Sequence, residues 1–73
     1  MVQRDWRQLV GSNVRRLRQA RRLSQEKLAG EAEIDTTYLR GIEAGRRNPS
    51  LLVMVRLAAA LGVRPPDLLK LDR

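Results

Sequence analysis

Thr36, Thr37 and Arg40 are the side chains in this 73-residue chain most suited to directed contact with another molecule. At ~100° per residue they share one side of the segment TTYLRGIEA with Gly41 and Ala44. Leu39 and Ile42 fall on the opposite side, and Tyr38 lies at its edge. The first face is short, thin and polar, with hydroxyls that donate and accept, two methyls and a guanidinium fork. Such groups suit recognition. The sequence has no His and no Cys, so the commonest general base, the commonest metal ligand and a thiol nucleophile are all missing. No carboxylate pair stands at acid/base spacing. The chain reads as a binding protein and not an enzyme, with no cofactor or metal expected.

Charge indicates what is bound. The net charge is +7, carried almost wholly by Arg. Residues 1–23 hold seven Arg against one Asp, residues 24–45 two basic against five acidic groups, and residues 46–73 six basic against two acidic groups. An Arg excess follows either from genomic base composition or from a polyanionic partner. Base composition alone does not account for an acidic middle segment.

The elements that must position these groups are short helices. Gly30, Gly45, Pro49, Gly62, Pro65 and Pro66 punctuate the chain, and strand alternation, repeats and linkers are absent. Helix one is expected from about Asp5 to Arg22, capped by Asp5 in a box with Gln8. Its apolar stripe is Trp6, Leu9, Val10, Val14, Leu17 and Ala20, and Arg4, Arg7, Arg15, Arg18 and Arg22 are expected on one flank. Gly11 reads as a weak point. Helix two starts after Ser24 and runs to about Ala32. After the tight connection Glu33-Ile34, Asp35 caps helix three, Thr36 to Ala44, which Gly45 terminates. Two helices of about two turns joined so tightly make a helix-turn-helix. Helix four follows Ser50 and spans Leu51 to Leu61, with Leu51, Met54, Leu57, Ala58 and Leu61 as its core face. A short helix five begins at Pro65 and holds Leu68, Leu69 and Leu71. No apolar run approaches the ~20 residues of a membrane span, and the charged N-terminus is not a signal peptide, so a cytoplasmic, nucleoid-associated protein is expected.

The run LSQEKLAGEAEIDTTYLRGIEAGRRNPS followed by LAAALGV resembles the phage-repressor and Cro-like helix-turn-helix family, the XRE family, over about residues 9 to 71. Ser24-Gln25, Leu28-Ala29, Ile34, Ile42-Glu43, Gly45, Pro49-Ser50 and Leu61-Gly62-Val63 stand at the family spacing. The finer pattern IDTTYLRGIEAGRRNPS is similar to controller proteins of restriction–modification systems. The resemblance implies an all-α, compact five-helix repressor-like DNA-binding domain over residues 1–73, with the helix-turn-helix at 24–45 and a dimerisation segment at about 51–71. One position departs from the pattern. Where the family has a turn glycine, commonly left-handed, this chain has Glu33, at a strain of roughly 1–2 kcal/mol if that conformation is kept.

Set in that frame, the thin face of helix three suits a DNA major groove. Thr36 and Thr37 match the family's main base-reading positions. Gly41 matches another but carries no side chain. It costs ~1 kcal/mol of helix propensity and is expected to let the helix backbone approach the bases. Arg40 is the leading substitute, as a fork on guanine; a phosphate contact or an ion pair with Asp or Glu is its other reading. Gln25 is implied at the DNA backbone, where a helix N-terminus attracts phosphate. Arg46, Arg47 and Asn48 are expected along the adjacent strand, in a loop stiffened by Pro49. Tyr38 either reaches a phosphate or packs at the core edge. The resemblance further implies an ion pair between Arg18 and Glu43 that ties helix one to helix three.

Helix four carries more apolar residues than one core face needs. Leu52, Val55 and Ala59 share a second stripe, and with Leu69 they form an expected interface with a second copy of the chain, unless helix five covers it. The reading is therefore a homodimeric, sequence-specific double-stranded-DNA-binding transcription regulator on a two-half-site operator, with no membrane partner and no small-molecule effector evident. The alternative is an antitoxin-type interaction protein that masks a toxin and binds DNA secondarily.

Overall fold

A computed structural model describes residues 5–71; Arg4 of the expected basic flank lies outside the described residues. The elements are α1 (Trp6–Ala20), α2 (Gln25–Ala32), α3 (Thr36–Glu43), α4 (Leu51–Leu61) and a 3-10 helix (Pro65–Leu69), with no strand among the described residues. The expected count of five α-helices is corrected to four. Pro65 and Pro66 bring no N–H to the last segment, and it is five residues long, too short for an α-helical ladder. It closes as a tight turn, with the Asp67 N–H donating to the Arg64 carbonyl at 2.9 Å and the Arg64 N–H to Asp67 Oδ2 at 2.9 Å.

All four α-helices start and stop by the same devices. Asp5, Ser24, Asp35 and Ser50 each accept a backbone N–H of the first turn, from Arg7, Lys27, Thr37 and Val53 respectively, which satisfies an otherwise orphaned donor. Asp5 thus caps α1 through Arg7 and not through the expected box with Gln8. The Gln8 side chain instead lies against Gly45, where an added Cβ would stand 2.8 Å from its Cγ. At the other ends, Arg22 (φ 57°), Glu33 (φ 59°), Gly45 (φ 76°) and Gly62 (φ 72°) all turn left-handed. The N–H of each following residue reaches back five positions: Leu23 to Arg18, Ile34 to Ala29, Arg46 to Gly41 and Val63 to Ala58, at 2.9–3.1 Å. This turn ends α1 at Ala20, two residues earlier than expected. It also puts Glu33 in the left-handed conformation expected of a glycine.

One core joins the helices, built from Val10 and Val14 of α1, Leu28, Ala29 and Ala32 of α2, Leu39 and Ile42 of α3, Leu57, Ala58 and Leu61 of α4, and Leu68. Three residues expected in it are outside. Trp6 and Ala20 are exposed at the two ends of α1, and Leu51, in the first turn of α4, is 76% exposed. Trp6 lies instead along a shallow groove with Val10, Pro49, Met54 and Leu69. Gly11 is not a weak point. It is buried where α1 crosses α3, and an added Cβ would collide with the Ile42 carbonyl and stand 2.9 Å from that of Glu43. Asn13 is the one polar residue buried as a whole among the described residues. Its Nδ2 donates to the Leu68 and Lys70 carbonyls, each at 2.9 Å, and so fastens the C-terminal segment to α1.

Candidate nucleic-acid interface

The α3 segment has the two faces its periodicity requires. Leu39 and Ile42 are fully buried, while Thr37, Arg40 and Ala44 are exposed and Thr36 is half-buried. Asp35 accepts the Thr37 N–H at 3.1 Å, so the first exposed turn is held in register. The N-terminus of α2 lies beside this face: Ser24 Oγ accepts the Lys27 N–H at 3.0 Å, and Gln25 and Glu26 face α3.

A chain of polar contacts knits these elements together. Arg18 of α1 grips Glu43 of α3 with two bonds, Nε to Oε2 at 2.7 Å and Nη2 to Oε1 at 3.0 Å, and its Nη1 donates to the Leu23 carbonyl at 2.8 Å. The two side chains are only 12% and 3% exposed, which makes the paired, bidentate geometry a condition of their burial. The bond to Glu43 raises the Arg18 pKa against the opposing effect of burial. Gln25 extends the chain, with Nε2 donating to Glu43 Oε1 at 3.1 Å and Oε1 accepting from Arg40 Nε at 3.3 Å. Arg40 ends it by donating from Nη2 to Glu26 Oε2 at 3.1 Å. Helix α3 is therefore fixed to α1 and to the start of α2 through its own polar edge.

The loop after α3 folds back on the same helix. The Arg46 and Arg47 N–H groups both donate to the Gly41 carbonyl, at 2.9 and 3.3 Å. Arg47 then runs over Gly41 and sets its guanidinium 5.1 Å from the centre of the Tyr38 ring, a cation–π distance. The expectation that Gly41 leaves the helix backbone open is corrected here. Gly41 is buried, and a Cβ on it would collide with Arg47 Cγ and come within 3.3 Å of Cδ. Its missing side chain makes room for an arginine. Tyr38 is half-buried and packs against the core with Arg47 on its ring, while Arg46 and Asn48 are exposed. The expected basic flank of α1 does not form as one row. Arg18 turns in to Glu43, Arg7 pairs with Asp5 at 3.4 Å, and Arg22 lies past the helix end.

Residues 14–68 match the helix-turn-helix family. The chain belongs to that family. It is 47% identical over 64 residues to control protein C.BamHI of Bacillus amyloliquefaciens, an alignment that covers 86% of this chain and 79% of that one. Its fold is similar to the restriction–modification controller protein C.AhdI from Aeromonas hydrophila, with a TM-score of 0.83, 42% identity, and coverage of 85% of this chain and 94% of that chain. It is also similar to the N-terminal DNA binding domain of SinR from Bacillus subtilis, with a TM-score of 0.84, 27% identity, and coverage of 90% and 97%.

Within this helix-turn-helix protein, sequence reasoning missed two members of the polar chain. The family resemblance places Gln25 at the DNA backbone, yet both ends of its side chain are engaged inside the protein. The other reading of Arg40, an ion pair with an acid, is the one the unbound chain shows, and Glu26 is the acid that the sequence leaves unnamed. Its bond to Arg40 spans 14 positions and two helices, and no periodicity in the sequence reports such a pair. Leu52, Val55 and Leu69 are 58%, 43% and 42% exposed, and Ala59 is exposed as well. Among the described residues no helix is long and apolar enough to cross a membrane, and no acidic cluster has metal-ligand geometry.

Proposed function

We propose that this helix-turn-helix transcription regulator acts as a homodimer on a double-stranded operator of two half-sites, in the manner of a restriction–modification controller. The observation that carries the reading is the thin polar face of α3, rigidly tied to α1 and α2 from behind. A major groove is wide enough for such a helix and presents donors and acceptors to its side chains. Thr36, Thr37 and Arg40 read bases. The N-terminus of α2, starting at Gln25, meets a phosphate through its backbone N–H groups, and Tyr38, Arg46, Arg47 and Asn48 follow the adjacent strand. C.BamHI and C.AhdI, a control protein and a restriction–modification controller by name, favour the controller role over other uses of the same fold.

Dimerisation through Leu52, Val55, Ala59 and Leu69 is supported by their exposure, the first three at helical spacing along α4. Leu51 and Leu71 are exposed as well, which adds to the apolar surface. That surface is also what favours the second reading, an interaction protein that masks a toxin; self-association of the purified chain separates the two.

The deciding experiment is a salt titration on a duplex selected from a random pool and on a random duplex. Arg46→Ala, losing one phosphate contact in each half of the dimer, flattens the log–log salt slope by about 2 on both. Arg40→Ala costs about 1–3 kcal/mol per half-site on the selected duplex and far less on the random one. Equal losses on both duplexes would make Arg40 a phosphate clamp.

A further inference from the structure

An acidic residue on a DNA-facing surface needs a reason. Glu26 lies in the first turn of α2, beside the proposed base-reading face, and is exposed. The nearest basic residue in sequence, Lys27, pairs with Glu31 at 3.6 Å. Glu26 pairs instead with Arg40, 14 positions away, at 3.1 Å, while Gln25 Oε1 holds the Nε of the same guanidinium at 3.3 Å. Gln25 is itself anchored on the nearly buried Glu43. The Arg40 side chain is therefore drawn sideways over the start of α2, by one fixed acceptor and one charged one.

We infer that Glu26 is a specificity-determining residue, which holds Arg40 off the DNA phosphates and gives it up only to a guanine. The inference rests on the reading of Arg40 as a base contact. The relative strengths favour it. Arg40 and Glu26 are 53% and 65% exposed at the side chain, and exposed pairs of this kind shift an equilibrium by less than about fivefold. A bidentate guanine contact discriminates by about 5- to 150-fold, enough to displace Glu26. A single phosphate offers no such fork to N7 and O6, and Glu26 stays next to it as a like charge. On random DNA Arg40 thus remains on Glu26 and adds nothing to affinity; on the operator it exchanges partners.

The test measures Glu26→Gln and Glu26→Asp in the full chain, on the selected duplex and on a random duplex, across a salt range. In both variants Arg40 is released, in the first by loss of charge and in the second because the carboxylate no longer reaches. Freed Arg40 becomes a phosphate contact on random DNA. The salt slope there steepens by about 2 for a dimer and affinity rises on the order of tenfold at ~0.1 M salt, while the selected duplex changes little. A Glu26→Asp protein that behaves as the parent while Glu26→Gln tightens would show a plain charge effect and overturn the inference. Equal changes on both duplexes, or a loss on the selected duplex alone, would overturn it as well, the last by making Glu26 itself a base contact. In an Arg40→Ala background the effect of Glu26→Gln on the specificity ratio must vanish; if it persists, the inference fails. Should Arg40→Ala alone weaken both duplexes equally, the base-reading role falls and the inference falls with it. Should Arg40→Ala be selective and the Glu26 variants not, only the inference falls.

Discussion

Glu33 closes α2 at φ 59° and ψ 43°, in the left-handed region where a Cβ crowds the following carbonyl. That crowding costs about 1–2 kcal/mol for a residue other than glycine. Glu33→Gly removes it, but the unfolded chain then gains freedom that costs roughly 0.5–1 kcal/mol on folding. Glu33 is exposed and makes no side-chain bond among the described residues, so little else is lost. The net expectation is a gain of about 0.5–1 kcal/mol. For a domain of this size that corresponds to a melting temperature roughly 2–8 °C higher. The assay is thermal unfolding by circular dichroism, with parent and variant at one protein concentration because dimerisation would make the midpoint concentration-dependent. Glu33→Ala is the control: it removes the same carboxylate but keeps the Cβ, and its midpoint should stay near that of the parent. If Glu33→Gly melts at or below the parent, or if Glu33→Ala gains as much, the strain argument is wrong and the turn derives its energy from elsewhere.

Other consequences separate stability from binding. Gly41→Ala should leave stability near that of the parent, a helix-propensity gain of up to ~1 kcal/mol being offset by loss of an Arg47–Tyr38 contact of about the same size, while weakening DNA binding, because its Cβ evicts Arg47 from its place beside Tyr38; unchanged binding would show that Gly41 does not position Arg47. Glu43→Gln should destabilise by an amount near the lower end of ~3–5 kcal/mol, since it leaves the largely buried guanidinium of Arg18 without a counter-charge, with neutral acceptors only; a urea midpoint within error of the parent would refute this. Leu52→Glu places a charge in the apolar patch and should give monomers by sedimentation that no longer bind the operator tightly, whereas a parent chain that stays monomeric at high micromolar concentration would remove the proposed interface.

The parts of this protein legible in its sequence are those governed by short-range rules. Ser24, Asp35 and Ser50 mark helix starts because a side-chain oxygen near an orphan N–H acts over three residues, and the bounds of α2 and α4 follow from such signals. The left-handed Glu33 was legible only because a family pattern marks that position for glycine; Arg22 takes the same conformation unmarked, and α1 was therefore drawn two residues too long. Periodicity places Leu51 on the core face, but in the first turn of α4 it is 76% exposed. What escaped altogether depends on backbones meeting across the fold. Gly11 looks like a defect until α3 crosses it, and Gly41 looks like an opening until Arg47 folds into it. Gly11 and Glu26 each serve a neighbour on another helix, and Gly41 serves an arginine six positions on, in the loop that folds back over it. Spacing along one helix reports which face a residue occupies but not what lies opposite, and on the surface assembled from α2, α3 and the loop after it, the group opposite decides whether an arginine is free, paired or stacked.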